Sequence, residues 1–517
     1  MLSDGPPSFD AGTQRRFHAW LRRKYGTIAS LNRHWTTAYW SETYDRFEQV
    51  PMHSHDENPG LLLDFRRFVT DTWASYVGAQ AAAIRAHADP RQFITTNTTH
   101  WGDQFDQYVV SRELDMAAWD EYVPDGHYRW LEDAVQHDLV RGYKGKDFWV
   151  METQPAFVDW WPVNSALPPD AMRELAWQAV GHGADAVLYW QWRSALNGQE
   201  QYHGTLLGPD GTPVPAYGVV RQIAAAMARA APAIAGTSPH SEVAMLQSYD
   251  SRWAIDFQRQ QQDFGVVKEF EAFYAPLERH AQAVDVVAPD APLAGYRLVV
   301  APALNVLSAA EARRLAAYVR GGGHLVLGPR SGMKDAWNAL WPRRQPGPLT
   351  RILGGRVEQY YALDSPVPLA GVLGSGQATI WAEALSAHAP TRVLMRYGRS
   401  NGWLDGKPAI ITRDVGKGSI TYVGAWLDPA LMQNVLDDFL REAHVTPLIP
   451  GVSKDVEVCE RSGAGKQVWI LINHGDDAQT LRLPSPATPV LAGDGTGATA
   501  TVALAPHSIH VLEAPLQ

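Results

Sequence analysis

The run from Phe148 to Pro155 reads Phe-Trp-Val-Met-Glu-Thr-Gln-Pro. Four strand-forming residues lead into one carboxylate, Glu152, and Pro155 then stops the strand. A charge at the end of a buried strand is costly unless it is paired or used. Trp160, Trp161 and Asn164 follow closely, and Tyr189-Trp-Gln-Trp-Arg193 forms the next strand-like run. The apolar face of a pyranose packs on aromatic rings while its hydroxyls bond carboxylates and amides. This pattern points to a carbohydrate site centred on Glu152.

Holding such a carboxylate requires a scaffold that ends several strands at one rim. Strands are expected at 93–97, 116–122, 148–152 and 186–192, with a helix at 170–181 before the last. Strands and helices that alternate, with polar and aromatic residues at the strand ends, are the pattern of a (β/α) barrel. Asn97 and Asp120-Glu121 also stand at strand ends, where they read as caps. Helices at 14–25, 28–35 and 61–86 precede this region. A helix at 216–231 follows it, and residues 232–239 read as a linker. From 243 to 328, short apolar strands alternate with amphipathic helices, including a Ser308-capped one at 308–320, which predicts a doubly wound α/β sheet. Strands near 409–413 and 419–423 and a helix at 429–443 close that region. Strands at 456–460, 467–473, 480–483 and 508–512 predict a small antiparallel β domain. We place the domains at 1–235, 240–446 and 447–517.

Composition narrows the classes of function. A length of 517 residues fits about three domains. The 20 tryptophans exceed what a core requires and favour a sugar site. A formal net charge of -10 argues against nucleic acid or an anionic membrane as partner. The single cysteine, Cys459, excludes a disulfide framework and a cysteine-rich zinc site, and reads as a small buried residue. With no apolar run long enough for a bilayer and no secretory signal, a cytoplasmic protein is expected.

Five motifs carry a family resemblance. They are Leu-Leu-Asp-Phe-Arg-Arg-Phe at 62–68, the Glu152 run, His-Gly-Ala-Asp-Ala at 182–186, Glu-Gln-Tyr-His at 200–203 and Leu-Val-Leu-Gly-Pro-Arg-Ser-Gly at 325–332. In this order the chain resembles glycoside hydrolase family 42, the microbial β-galactosidases. The resemblance implies a TIM barrel, an α/β trimerisation domain like a glutamine amidotransferase, and a small β domain. It implies retaining hydrolysis of terminal non-reducing β-D-galactosides with Glu152 as nucleophile. Trp160 would wall the galactose pocket, Trp190 and Trp40 would match aromatic positions of the family's site, and Glu200 and His203 would bond sugar hydroxyls. A homotrimer and no organic cofactor are implied as well.

One departure stands out. The family's acid/base is the Glu of an Asn-Glu pair at the end of barrel strand four, and no such pair precedes the first helix. Counting back from Trp40, that Glu falls at or before Met1. Asp4 is the only carboxylate near that position, and Asp56-Glu57-Asn58 is reversed and on another loop. The family's cysteine ligands for a structural zinc are missing too. We therefore expect a partial (β/α)8 barrel lacking its N-terminal half and acid/base, which alone would fold poorly. Two alternatives remain open: an inactive fragment serving as a binding or assembly module, and an α-L-arabinopyranosidase.

Overall fold

The computed structural model describes residues 7–52, 58–491 and 497–516; Asp4, Asp56 and Glu57 lie outside these. Four short strands pair in parallel and in chain order: β1 (Asn97–Thr99), β2 (Ala118–Glu121), β3 (Phe148–Thr153) and β4 (Ala184–Tyr189). The helices Gln107–Ser111, Trp130–Lys144 and Pro169–Gly181 lie between them, and Pro215–Ile234 follows β4. These four βα units form an arc of a (β/α) barrel, as the strand-end pattern predicts.

Two local differences have physical causes. The first strand begins at Asn97, where the expected one ended, because the Ile94 N–H donates to the Asp115 carboxylate (2.8 Å) instead of joining a ladder. The helix Trp130–Lys144 was not anticipated. Its Asp133, Gln136, His137, Asp138 and Arg141 are all buried, so polar residues occupy positions that an amphipathic reading reserves for apolar ones.

Ahead of the barrel, the helices Ala11–Tyr25, Ile28–Trp35 and Pro59–Arg85 share a core of Phe17, Trp20, Leu31, Trp35, Phe65 and Phe68. Asp10 caps the first through the N–H groups of Gly12 and Thr13. Buried Asp64 ties the group together, accepting from Tyr25 Oη (2.5 Å) and pairing with Lys24 and Arg67.

The middle region is an 11-stranded mixed sheet. Its parallel part runs Gly418–Val423, His324–Leu327, Leu298–Ala301, Val243–Leu246, Asp285–Val287, which is the doubly wound portion expected. The antiparallel part adds Gly355–Ala362, Val367–Gly371, Gly374–Ala387 and Arg392–Tyr397, strands missed in the sequence. The last region is a six-stranded antiparallel sheet. Residues 232–239 are not a free linker: 232–234 complete a helix, and Ser238–Pro239 pair with Val456–Gly463.

The regions are packed tightly together. A Cβ on Gly142 would sit 1.7 Å from the Val286 carbonyl oxygen, so only glycine lets the helix Trp130–Lys144 meet the strand Asp285–Val287. Beside it, Arg141 bonds Asp285 at 2.8 Å. Against the C-terminal sheet, His182 bonds Asp138 through Nδ1 (2.8 Å) and Glu457 through Nε2 (3.0 Å), next to Cys459. The ligand atoms of His182, Glu457 and Cys459 lie within 4.8 Å of one another, and both ring nitrogens of His182 are engaged by Asp138 and Glu457. Burial and the nearby Glu457 push the Cys459 thiol up to about 12, which leaves it a protonated core group.

Candidate active site

Parallel pairing brings three strand ends level. Thr99 pairs with Asp120, and Asp120 with Glu152. Alternation along β2 then sends Asp120 and Tyr122 toward the Glu152 side and Glu121 to the opposite face. Glu121 is 0% exposed and lies 3.0 Å from His137 Nε2 on the helix behind the sheet. Burial pushes the Glu121 carboxyl well up and the His137 imidazole well down, disfavouring the charged form of each. Glu121 is thus a core residue, not a site carboxylate.

Glu152 is half-buried at the end of β3. Its Oε2 accepts from the Tyr122 hydroxyl at 3.0 Å, and its Oε1 from Asn97 Nδ2 at 3.2 Å. The same nitrogen donates to both Asp120 oxygens, at 2.9 and 2.7 Å. Burial, followed by the Glu152 charge, holds the Tyr122 phenol well above its ordinary pKa, so it remains a donor. Glu152 therefore has both oxygens oriented and remains reachable.

Aromatic rings close in on this carboxylate. Trp160 packs edge-on against Tyr122 (4.8 Å between ring centroids) and tilted against His203 (5.2 Å). His203 is 3% exposed; its Nδ1 lies 2.9 Å from the Gly204 carbonyl, and its Nε2 has no partner among the described residues. Trp190 Nε1 donates to Glu200 Oε2 at 2.8 Å. A cavity of about 620 Å³ opens beside them, lined among others by Asp120, Tyr122, Trp160, Trp161 and Glu200. Its volume and its mixture of rings and carboxylates suit a sugar.

Of the residues singled out in the sequence, Glu152, Trp160, Trp190, Glu200 and His203 thus join one cluster through contacts or cavity walls. Trp40 does not: it is 80% exposed in the turn Tyr39–Ser41 and stacks on Tyr39. Asn164 turns inward on its own loop, bonding the backbone of Trp161. Asn97 and Tyr122 bond Glu152 directly and Asp120 holds Asn97, although Asn97 and Asp120 read as caps in the sequence. Their position at the ends of adjacent strands was the available signal.

Comparison with known proteins fits this geometry. The β-galactosidase family model matches residues 6–230, that for the β-galactosidase trimerisation domain 241–446, and that for the β-galactosidase C-terminal domain 455–514. The chain is 36% identical to the β-galactosidase Bga of Halorubrum lacusprofundi, over 93% of this chain and 71% of that protein. It is 31% identical to a β-galactosidase of a Thermus species, over 94% of this chain and 74% of that one. The crystal structure of a Bacillus circulans β-galactosidase superposes with a TM-score of 0.93 at 25% identity, covering 98% of this chain and 77% of that chain. The β-galactosidase structure from Halorubrum lacusprofundi gives 0.88 at 32% identity, with 98% and 77% covered. With three family models matched in order, a barrel arc bearing an oriented carboxylate, and relatives above 30% identity over most of the chain, this chain belongs to glycoside hydrolase family 42, the β-galactosidases.

Proposed function

We propose that the chain hydrolyses terminal non-reducing β-D-galactosides with retention, and that Glu152 is the nucleophile. The observation that carries this reading is the Glu152 carboxylate, held by Tyr122 and Asn97 beside a cavity walled by Trp160, Trp161 and Glu200. In this reaction a Glu152 oxygen attacks the anomeric carbon, and the aglycone oxygen leaves with the bonding electrons. Water then cleaves the glycosyl ester with release of the carboxylate. Tyr122 and Asn97 keep the attacking oxygen aimed, and Tyr122 shares its charge between turnovers. Trp160 packs on the sugar ring. Glu200, oriented by Trp190, and His203 Nε2 take sugar hydroxyls.

Asp120 accepts from the same Asn97 nitrogen, which keeps it within about 6 Å of Glu152, in the range of glycosidase carboxylate pairs. We read it as the group that orients Asn97, because both its oxygens accept from that amide. Asp120 is thereby engaged on Asn97 rather than placed to protonate a leaving group. Substrates whose leaving group departs unprotonated, such as activated aryl galactosides, are therefore the ones to test first.

Assembly, domain division and location belong to the same proposal. The trimerisation-domain match supports a homotrimer, and the three family-model spans support a division at 1–235, 240–446 and 447–517. One cysteine and no disulfide fit a reducing compartment, the cytoplasm. Among the described residues no helix is long and apolar enough to cross a membrane. Turnover of an aryl β-galactoside by this chain and by Glu152→Gln tests the reading: activity in the first and none in the second is expected. Equal activity in both would exclude Glu152.

A further inference from the structure

Two buried cations meet where the α/β sheet faces the N-terminal helices. At the carboxyl ends of the parallel strands Leu298–Ala301 and His324–Leu327, the chain turns through Gly328 to Gly332 and on to Lys334. A cavity of about 530 Å³ opens there, lined among others by Gln258, Arg330, Lys334, Trp337, Asn338 and Tyr360. It shares no lining residue with the Glu152 cavity. In open α/β sheets, the carboxyl ends of the strands are where ligands bind.

The polar groups of this cavity are incompletely paired. Lys334 is 5% exposed, and among the described residues its ammonium has one hydrogen bond, to Gln258 Oε1 at 3.1 Å, and no carboxylate in ion-pair reach. Burial, then neighbouring Arg330, lowers its pKa to about 8. Arg330 donates to the carbonyls of Gln258 and Arg259, just past the helix Tyr249–Phe257, and lies 4.9 Å from the ring centroids of both Phe264 and Trp381. Among the described residues its buried Nε has no partner, and neither has the buried Asn338 Oδ1 acceptor. Glu269, Glu383 and Asp256 stand near Arg330; burial pushes the first two carboxyls upward, and Asp256 is paired with Arg259. A buried ammonium without a counter-charge is costly. An anion entering here would remove that cost.

We propose that this cavity is a second binding site, for a small hydroxylated oxyanion such as a sugar acid or sugar phosphate. Lys334 and Arg330 Nε receive the carboxylate or phosphate, Asn338 Oδ1 accepts from a hydroxyl, and the rings of Trp337 and Tyr360 supply apolar walls.

Calorimetric titration of the whole protein with galacturonate, galactose 6-phosphate, inorganic phosphate and neutral galactose tests this. Galacturonate or galactose 6-phosphate should bind a site that neutral galactose does not compete for. Lys334→Met, checked for folding by its thermal transition, should weaken that binding at least about tenfold, the worth of a charged hydrogen bond. Should Lys334→Met fail to fold, Asn338→Asp takes its place, since a carboxylate beside the two cations should repel the anion to a similar degree. Tighter binding of the sugar anions than of inorganic phosphate supports the hydroxyl contact. Failure of both sugar anions to bind overturns the proposal, as does unweakened binding in the variants. A loss of oligomer in Lys334→Met with no change in anion binding also overturns it, because the counter-charge would then come from a second copy of the chain. Every readout is binding, so the outcome is independent of whether Glu152 is catalytic.

Discussion

Glu152 has each oxygen fixed by a different neighbour, so its two hydrogen bonds are separable by mutation. Tyr122→Phe removes the donor to Oε2 while leaving the ring against Trp160. A hydrogen bond to a charged group is worth about 1.5–3 kcal/mol, so kcat on an aryl galactoside should fall about 10- to 100-fold. Trp160→Ala should instead raise KM more than it lowers kcat, because packing on the sugar is shared by ground and transition states. Steady-state kinetics on both variants distinguish the two roles. Glu152 and its aromatic surround were legible in the sequence because strand, carboxylate and proline are adjacent in the chain. Asn97 and Tyr122 were not, because their contacts depend on a parallel register joining residues 55 and 30 positions apart from Glu152.

The helix Trp130–Lys144 carries the clearest test among the elements. Gly142→Ala places a methyl against the Val286 carbonyl, and neither backbone can retreat without disturbing Arg141 and Asp285. The variant should lose about 1–3 kcal/mol, as overpacked sites do, read as a lower denaturation midpoint. This helix escaped sequence analysis because its buried polar residues hide its inward face. The antiparallel strands from 355 to 397 escaped because Gly374–Ala387 is rich in Gly and Ala and buries Glu383, which masks strand alternation. Helices with capping signals fared better: Ser308 caps Ala309–Arg320 as expected, and Glu311 completes a reciprocal capping box that the sequence reading did not include.

For the whole molecule, the joint between barrel and C-terminal sheet is ionic and buried. His474 lies 2.9 Å from Glu174 on the barrel side and 3.1 Å from Glu457 on the sheet side. Burial alone would lower its pKa, but the hydrogen bonds to Glu174 and Glu457 outweigh burial and raise it to about 9. Because the folded value is raised, the stability this group contributes is complete below about pH 6.5 and is lost as pH rises through about 9. The thermal midpoint should fall across that window, and His474→Gln should flatten the fall while lowering the midpoint at pH 6. The order of barrel, α/β sheet and β sheet was visible in the sequence because hydrophobic period and composition change from one region to the next. Their joints were not, since Glu174, Glu457 and His474 meet only after folding.

Trapping the glycosyl-enzyme tests the central claim most directly. A 2-deoxy-2-fluoro-galactosyl fluoride needs no acid for its leaving group and slows the second step of a retaining mechanism. Mass spectrometry of the digested protein should find the sugar on the peptide that contains Glu152. Label on Asp120 or Glu200 would contradict the account. So would hydrolysis of aryl galactosides by a protein that is never labelled.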